Sequence, residues 1–463
     1  MKKIKMLLAA AMCVAAGSLG AAPAVTVRVT PETGVIIAGP DREAMIRIAI
    51  DAEKIAGVPR AGVNLAIALD RSGSMGGEKI ENAKRAAITA LKMLNDDDWF
   101  SLVVYDGSAQ VLIPATRVGD RIARYSPDSS MRAIDSARNV IIDAINQIRP
   151  GGSTALFSGV SLAVGELEKA ECPEGFVRRV VLLSDGQANV GPSTPADLGR
   201  LGAGLVKEGI SVSTVGVGLD YNEDLMTSLA QNSDGNFYYV EKSSDLPFIF
   251  ERELSGALSV AARSVRLRIE CPRGVRPVGI LGHEARIDGN TVEIDFNQIY
   301  SGHRKVLVLQ VEAADAREGS KLELAEVNLQ YTDNAQAVQN LSVGKVTVAV
   351  SRDTAEVKKS LNRDASADIA IQRSVVQRSE ALKKIDAGDV EGGRQIMADS
   401  NAMLRSNLEY TGSAEVAEAA KLGESQADKL KDAAVGSEEY VRVRKAVKGN
   451  AYQVSNSQTY QQE

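Results

Sequence analysis

The sequence is poor in the residues on which several classes of protein depend. Its 463 residues include only two histidines, three cysteines and one tryptophan, and aromatic residues make up 4% of the chain. So few aromatic side chains give no stacking platform for bases or sugars. The formal net charge is −6, and an acidic chain without a basic cluster is poorly suited to neutralising phosphates. These absences argue against a nucleic-acid partner and against an anionic membrane surface.

Motifs of common enzymes are also missing. The sequence contains neither G-x-S-x-G nor H-E-x-x-H, and His283 and His303 have no Cys, Asp or Glu at ligand spacing. Gly186–Ser193 has the glycine spacing of a phosphate-binding loop, but it lacks the required lysine and Pro192 removes a backbone donor. The residues offer no Ser–His–acid triad. We therefore predict that the protein is not an enzyme.

Apolar runs that could cross a membrane are lacking as well. The run Met6–Leu19 is shorter than the about 20 residues that a spanning helix needs, and no second run of that length follows. Three lysines precede Met6–Leu19 and small residues, Ala21–Ala24, follow it, which is the order of an export signal. We predict a signal peptide at residues 1–24 and no transmembrane segment in the mature chain. The predicted location is the bacterial envelope, periplasmic or secreted.

The cysteines leave one question open. Cys13 lies in the predicted signal peptide, Cys172 in a loop and Cys271 on one face of a predicted strand. An oxidising compartment permits a disulfide between Cys172 and Cys271. Because the geometry of a disulfide is strict, the sequence leaves this pairing undecided.

Hydrophobic periodicity divides the mature chain into four parts. Apolar residues alternate with period two in 25–60 and again in 256–352, which is typical of strands. In 61–255, short apolar runs alternate with helical stretches, which predicts a doubly wound, mainly parallel sheet covered on both faces. The last part, 353–463, has a helical pattern with breaks near Gly388, Gly412 and Gly436 and is expected to hold two or three helices. Strand patterns on both sides of 61–255 predict an α/β domain inserted in a β-sandwich-like domain.

Within 61–255 the sequence predicts four buried strands and three helices. The buried strands are expected at 63–69, 99–105, 180–184 and 211–217, and the helices at 78–94, at 131–148 and after Pro195.

Oxygen-bearing side chains follow two of these strands and one loop. Asp70, Ser72 and Ser74 come at the end of the first strand, Asp185 follows the strand 180–184, and Thr154 lies in a glycine-rich loop. Ligands bind at the carboxyl edge of such a sheet, where loops converge. Two carboxylates and three hydroxyls are hard ligands, which favours Mg²⁺, with Ca²⁺ or Mn²⁺ as alternatives. Because hydroxyls are neutral and few, such a site favours an incoming carboxylate.

Three segments resemble the metal-ion-dependent adhesion site of von Willebrand factor type A domains. They are D-R-S-G-S-M, G-G-S-T-A-L-F-S-G and L-L-S-D-G-Q-A-N. The family pattern carries, without departure, onto Asp70, Ser72, Ser74, Thr154 and Asp185. Ser153 is an alternative to Thr154, which is preferred because T-x-L-x-x-G fits the family. The resemblance covers 61–255 and implies a doubly wound sheet, a Mg²⁺-type ion and an acidic residue of a protein partner. More loosely, the flanking parts resemble bacterial secreted proteins akin to calcium-activated chloride channel regulators.

Three functions are compatible with this site. The first is metal-dependent adhesion or assembly, in which the ion bridges to an acidic residue of a partner. The second is a structural envelope module that the metal rigidifies. The third, metal-dependent hydrolysis, lacks a positioned base because both carboxylates are committed to the ion. The sequence favours the first and does not separate it from the second.

Overall fold

The computed structural model describes residues 24–53, 60–124, 133–257, 259–333 and 336–457. The predicted signal peptide, apart from Ala24, lies outside the described residues. In chain order, the elements up to residue 257 are β1 (Val25–Pro31), β2 (Val35–Ile37), β3 (Gly39–Ala52), β4 (Val63–Asp70), α1 (Glu78–Met93), β5 (Trp99–Tyr105), β6 (Ala109–Arg117), β7 (Arg121–Arg124), β8 (Ala133–Ser136), α2 (Ala137–Asn146), α3 (Leu156–Lys169), β9 (Val177–Ser184), α4 (Pro195–Lys207), β10 (Ile210–Val217), α5 (Glu223–Asn232), β11 (Phe237–Val240) and α6 (Leu246–Ala257).

The rest of the described chain is first β-rich and then helical. Its elements are β12 (Val260–Glu270), β13 (Val275–Ile280), β14 (Arg286–Asp288), β15 (Thr291–Tyr300), β16 (Arg304–Ala316), β17 (Lys321–Thr332), β18 (Val338–Ser351), α7 (Thr354–Lys359), α8 (Arg363–Asp386), α9 (Val390–Thr411), α10 (Ala414–Asp432) and α11 (Glu438–Ser455).

The central part is a doubly wound sheet of six strands. The strand order is β11-β10-β9-β4-β5-β6, and neighbours are parallel except for the antiparallel pair β5/β6. Every residue of β4 and of β10 is buried. Leu65 and Ile67 of β4 share a core with α1, α2 and α6, whereas Ala66 and Ala68 share one with α3, α4 and α5. Helices on both faces explain why these strands are buried along their whole length, as the sequence predicted.

Two further sheets form a sandwich that the central part interrupts. One has the order β1-β3-β16-β13 and the other β14-β15-β12-β17-β18-β2, and their apolar faces share one core. Strand β3 pairs with β16, with Ile48 opposite Leu307, and β2 pairs with β18. Strands from both ends of the central part therefore lie in each sheet. The predicted insertion of an α/β domain in a β-sandwich-like domain is confirmed.

Two of the predicted helical stretches differ from the structure. The helix predicted at 131–148 begins only at Ala137, because Ser136 caps it by accepting a hydrogen bond from the Asn139 backbone and residues 133–136 pair with β7 as a short strand. Within residues 353–457, the described stretch of the C-terminal part, there are five helices, not two or three. The breaks fall where expected, with Gly412 in the left-handed conformation after α9, and they separate the four helices α8 to α11. The fifth helix, α7, has only six residues, which are too few to show a helical period.

The helical part packs against both other parts. Ile369 of α8 shares a core with Met45 and Val308 of the sandwich. The last helix, α11, returns to the central part, where Tyr452 joins the core beneath α5. The Tyr452 hydroxyl donates a hydrogen bond to the Gly235 carbonyl at 2.9 Å. The central part is therefore held by a scaffold that extends beyond its own helices.

Candidate metal centre

The two predicted carboxylates leave neighbouring strands at the same edge of the central sheet. Strand β4 ends at Asp70 and β9 ends just before Asp185, and the two strands pair in parallel, with Leu69 opposite Leu183. Both carboxylates are fully buried, with 0% of their surface exposed. Parallel pairing alone therefore brings the two acids together at the carboxyl edge.

The loop after β4 carries two hydroxyls toward these acids. Residues Gly73–Met75 form a single 3-10 turn whose Met75 is buried and anchors the loop. The Ser72 backbone N–H donates to Asp70 Oδ1 at 2.8 Å. The hydroxyl oxygens of Ser72 and Ser74 lie 3.0 Å apart, so both side chains point to the same place.

Hydroxyls also tie the two carboxylates into the loops. Ser184 Oγ donates to Asp70 Oδ2 at 2.6 Å, and Ser74 Oγ donates to Asp185 Oδ1 at 2.7 Å. Each carboxylate is thus oriented by a neighbouring serine, as buried carboxylates require.

The glycine-rich loop before α3 brings the third hydroxyl. The Gly73 N–H donates to the Gly152 carbonyl at 3.1 Å, and the Gly151 N–H donates to the Arg71 carbonyl at 2.7 Å. The Thr154 N–H donates to Asn189 Oδ1 at 2.9 Å. All three loops are therefore joined by direct hydrogen bonds between protein atoms.

The three hydroxyls converge beside Gly186. A Cβ atom built on Gly186 would lie 3.2 Å from Thr154 Oγ1, 3.5 Å from Ser74 Oγ and 3.9 Å from Ser72 Oγ. Ser153, the alternative to Thr154, is exposed, whereas Thr154 is 4% exposed. The structure thus places Asp70, Ser72, Ser74, Thr154 and Asp185 around one small space. Five oxygen donors of this kind fit a hard divalent cation.

Electrostatics at this edge favour a cation. Burial raises the pKa of Asp70 to about 6, although hydrogen bonds from Ser184 and Ser72 lower it, and the charge of Asp185 raises it further. Burial disfavours the charged carboxylate, whereas a nearby positive charge favours it. Lys79 supplies one such charge, because its Nζ lies 2.5 Å from Asp185 Oδ2.

The two cysteines of the described chain do not belong to this site. Within the described ranges, no group of three or more His, Cys, Asp or Glu side chains could hold a metal ion. Cys172 and Cys271 are free thiols. The Cys172 sulfur lies 3.7 Å from the Asn64 amide nitrogen, at the opposite end of β4 from Asp70.

Three residues at the site were not identified from the sequence. They are Lys79, which pairs with Asp185, Ser184, which orients Asp70, and Asn189, which holds the backbone of Thr154. Ser184 could have been found, because it directly precedes Asp185 at the end of a strand. Lys79 and Asn189 act across loops, and their sequence positions carry no signal for those contacts.

The comparisons agree with this fold. Residues 64–252 match the family model of the von Willebrand factor type A domain, and this part of the chain is a domain of that family. A solved von Willebrand factor type A protein from Catenulispora acidiphila has a TM-score of 0.65 at 17% identity, covering 95% of this chain and 97% of that one. The ArnB paralog VWA2 from Sulfolobus acidocaldarius has a TM-score of 0.61 at 16% identity, covering 93% and 99%. Both structures share the whole architecture, not the central domain alone.

The relatives in sequence match this chain over very different shares of their own length. An uncharacterised protein of Synechocystis is 24% identical over 77% of this chain and 82% of its own length. The uncharacterised protein YfbK of Escherichia coli is 27% identical, over 54% of this chain and 41% of its own length. The mouse inter-alpha-trypsin inhibitor heavy chain 4 is 26% identical, over 41% and 19% respectively. The chain therefore matches less than half of the last two relatives. Separately, none of the described helices combines the length and apolar character needed to span a membrane.

Proposed function

We propose that this protein is an exported adhesion or assembly protein that binds a protein partner through one divalent ion at the oxygen site. The observation that carries the proposal is the convergence of the Ser72, Ser74 and Thr154 hydroxyls beside Gly186. A bound ion would supply a Lewis-acidic position for an acidic side chain of the partner. We propose Mg²⁺ as the ion, with Ca²⁺ or Mn²⁺ as alternatives.

The residues around such an ion would have different roles. Asp70 and Asp185 would supply the negative charge, and the three hydroxyls would supply neutral ligands. The carboxylates are buried, but Ser74 is exposed, and so are Asn189 and Val190 on the loop after β9. A partner could therefore approach from the side of Ser74 while the acids stay sheltered from water.

Direct hydrogen bonds between the loops favour partner binding over a purely structural metal. The loops after β4, before α3 and after β9 are joined by protein atoms alone. An ion added to loops that are already joined should contribute little to their rigidity. Hydrolysis is disfavoured as well. Each oxygen of Asp70 and Asp185 already accepts a hydrogen bond or pairs with the Lys79 ammonium group, so none is left to act as a general base.

Export is the part of the proposal that rests on sequence alone. The lysine, apolar and small-residue order of residues 1–24 supports a cleaved signal, and we propose a periplasmic or secreted location. N-terminal sequencing of the protein from cell fractions should find a mature chain beginning near Val25 outside the cytoplasm. An intact Met1 on protein recovered from the cytosol would contradict export.

A chelator-controlled capture experiment tests the binding function. The mature chain is immobilised and incubated with envelope extract in Mg²⁺, in EDTA, or in Mg²⁺ with a short glutamate-containing peptide as competitor. We expect a partner that is retained in Mg²⁺, is lost in EDTA and is displaced by the peptide but not by its glutamine analogue. The Asp70→Ala protein should retain no such partner.

Two results would count against this function. Partners that persist in EDTA while the melting temperature falls would indicate a metal that rigidifies the domain. A partner that the glutamine analogue displaces equally well would show that no carboxylate completes the site.

A further inference from the structure

Lys79 lies at the carboxyl edge of the central sheet that carries Asp70 and Asp185, called here the metal edge, and its positive charge opposes a metal ion. Its Nζ lies 2.5 Å from Asp185 Oδ2, and its side chain is 30% exposed while that of Asp185 is fully buried. The other oxygen of Asp185 accepts a hydrogen bond from Ser74 Oγ at 2.7 Å. Both oxygens of this predicted ligand are therefore engaged by groups of the chain itself.

The position of Lys79 is not explained by the helix that carries it. Lys79 is the second residue of α1, and the positive end of a helix dipole disfavours a cation in the first turn. The nearby Glu78 and Glu81 in this turn have the sign that the dipole favours. The contact with Asp185 is thus what offsets the unfavourable placement, and it directs the ammonium group toward the metal edge.

The charges at this edge leave a defined imbalance. Asp70 and Asp185 contribute −2, the three hydroxyls contribute nothing, and Lys79 contributes +1, so the set carries −2 + 1 = −1. Arg71 adds no further charge, because it pairs with Asp106 at 2.9 Å. A divalent ion would bring the sum to +1 with Lys79 and to zero without it. One carboxylate from outside would then balance the charge only when Lys79 is present.

We propose that Lys79 is a specificity-determining counter-cation: it competes with the divalent ion for Asp185 and leaves the loaded site positive, so that the site selects a carboxylate. This inference rests on the proposed metal site. Lys79 weakens ion binding and strengthens binding of the acidic ligand, because the same positive charge repels the ion and attracts the acid. The two affinities therefore change in opposite directions when the charge is removed.

Titration of the full mature chain with Mn²⁺ tests the first half of this inference. The variants are Lys79→Gln and Lys79→Met, which remove the charge, and Lys79→Arg, which keeps it. Lys92→Gln is the matched control, because Lys92 is exposed in the last turn of the same helix. By isothermal titration, both uncharged variants should bind Mn²⁺ about tenfold more tightly than the parent. Lys79→Arg and Lys92→Gln should stay close to the parent.

The second half is measured on the Mn²⁺-loaded proteins with sodium acetate as the carboxylate probe. Acetate that coordinates Mn²⁺ displaces water, so the water-proton relaxation rate falls as the site fills. Lys79→Gln should need several times more acetate than the parent for the same fall in relaxation rate, because the attraction between the lysine charge and acetate has been removed. Melting curves verify that each variant is folded, and Lys79→Met repeats the test with the aliphatic stem retained.

Each outcome separates the two proposals. Tighter Mn²⁺ binding with weaker acetate binding in the uncharged variants supports the role of Lys79. If the parent binds Mn²⁺ and both uncharged variants bind it equally or more weakly, the role of Lys79 is wrong and the metal site stands. If neither the parent nor any Lys79 variant binds Mn²⁺, both the metal site and the role of Lys79 are wrong.

Discussion

Two clusters of buried carboxylates in this molecule are satisfied in different ways. At the metal edge, Asp70 and Asp185 meet serine hydroxyls and one partly exposed lysine. At the junction between α5 and α11, Glu223 is 3% exposed and meets three cations of α11. These are Lys445, whose Nζ lies 2.8 Å from Glu223 Oε2, together with Arg444 and Lys448.

The difference teaches how to distinguish a structural cluster from a binding site. At the junction, Arg444 and Lys448 also pair with Asp224, and Arg444 pairs with Asp386, so the cations of α11 are matched by carboxylates of the chain. Burial, followed by the charges of Arg444 and Lys448, lowers the pKa of Lys445 to about 7. No further cation is needed there. At the metal edge the neutral hydroxyls leave negative charge uncompensated. The junction therefore joins two parts of the fold, and the metal edge is suited to an external cation.

The largest expected effect is the loss of ion binding on Asp70→Ala. This change removes one of two carboxylates and releases Ser72 and Ser184, whose groups donate to it. Isothermal titration with Mg²⁺ and Mn²⁺ should show no binding, a loss of at least about a thousandfold. The protein should remain folded, because a costly buried acid is removed. Asp428→Ala, at an exposed position on α10, should bind as the parent does.

Glu223→Gln should lower stability and leave ion binding unchanged, which is the reverse of what is expected for Asp70→Ala. It removes the carboxylate that pairs with the buried Lys445, and breaking such a buried pair lowers the free energy of unfolding by about 3 kcal/mol. Melting curves should show this loss, whereas Mn²⁺ affinity should be unchanged. Glu409→Gln, exposed on α9, is the matched control for stability. Weaker Mn²⁺ binding in Glu223→Gln would break the distinction between the two clusters.

A smaller effect is expected when one hydroxyl is removed. Thr154→Ala should weaken Mn²⁺ binding about tenfold, and Thr154→Ser should restore it because the hydroxyl returns. Ser153→Ala should have little effect, since Ser153 is exposed. If Ser153→Ala weakens binding and Thr154→Ala does not, the assignment of the third hydroxyl is reversed.

The smallest predicted effect concerns pH and the attachment of α11. Burial, followed by the charge of Lys305, lowers the pKa of His283 to about 4, and its Nε2 contacts the Ser455 carbonyl at the end of α11. An unfolded histidine has a pKa of about 6.5. The unfolded chain therefore binds more protons between these values, and stability present above pH 6.5 is lost as the pH falls toward 4.

Melting at two pH values measures this contribution. Between pH 7 and pH 5.5, His283 should account for about 1 kcal/mol of lost stability. The loss should be smaller in His283→Gln by that amount. His303, whose burial also lowers its pKa to about 4, titrates in both proteins, so the difference reports His283. An equal loss in both proteins would show that His283 does not sense pH.

The parts of the fold that depend on local pattern could be predicted from the sequence. The apolar strand 63–69 ends at Asp70, and parallel neighbours place Asp185 at the same edge, so the two acids followed from periodicity and topology. The period-two pattern on both sides of the α/β part likewise indicated the interrupted sandwich. Side-chain positions on loops followed only from the family pattern.

Contacts made across space could not be predicted in the same way. Lys79 and Glu223 both lie in first turns of helices, and their partners are 106 and 222 residues away in sequence. Periodicity reports which face of an element is buried, but not which element covers it. The α11 junction and the lysine at the metal edge therefore required the structure.

A crystal structure of the mature chain grown with Mn²⁺ tests the central claim most directly. Anomalous scattering identifies the ion without reference to the protein atoms. We predict one anomalous peak beside Gly186, within about 2.0–2.6 Å of the Ser72, Ser74 and Thr154 hydroxyl oxygens. The same crystal of Asp70→Ala should lack that peak. A well-diffracting parent crystal with no peak there, or with its only strong peak elsewhere, would contradict the account.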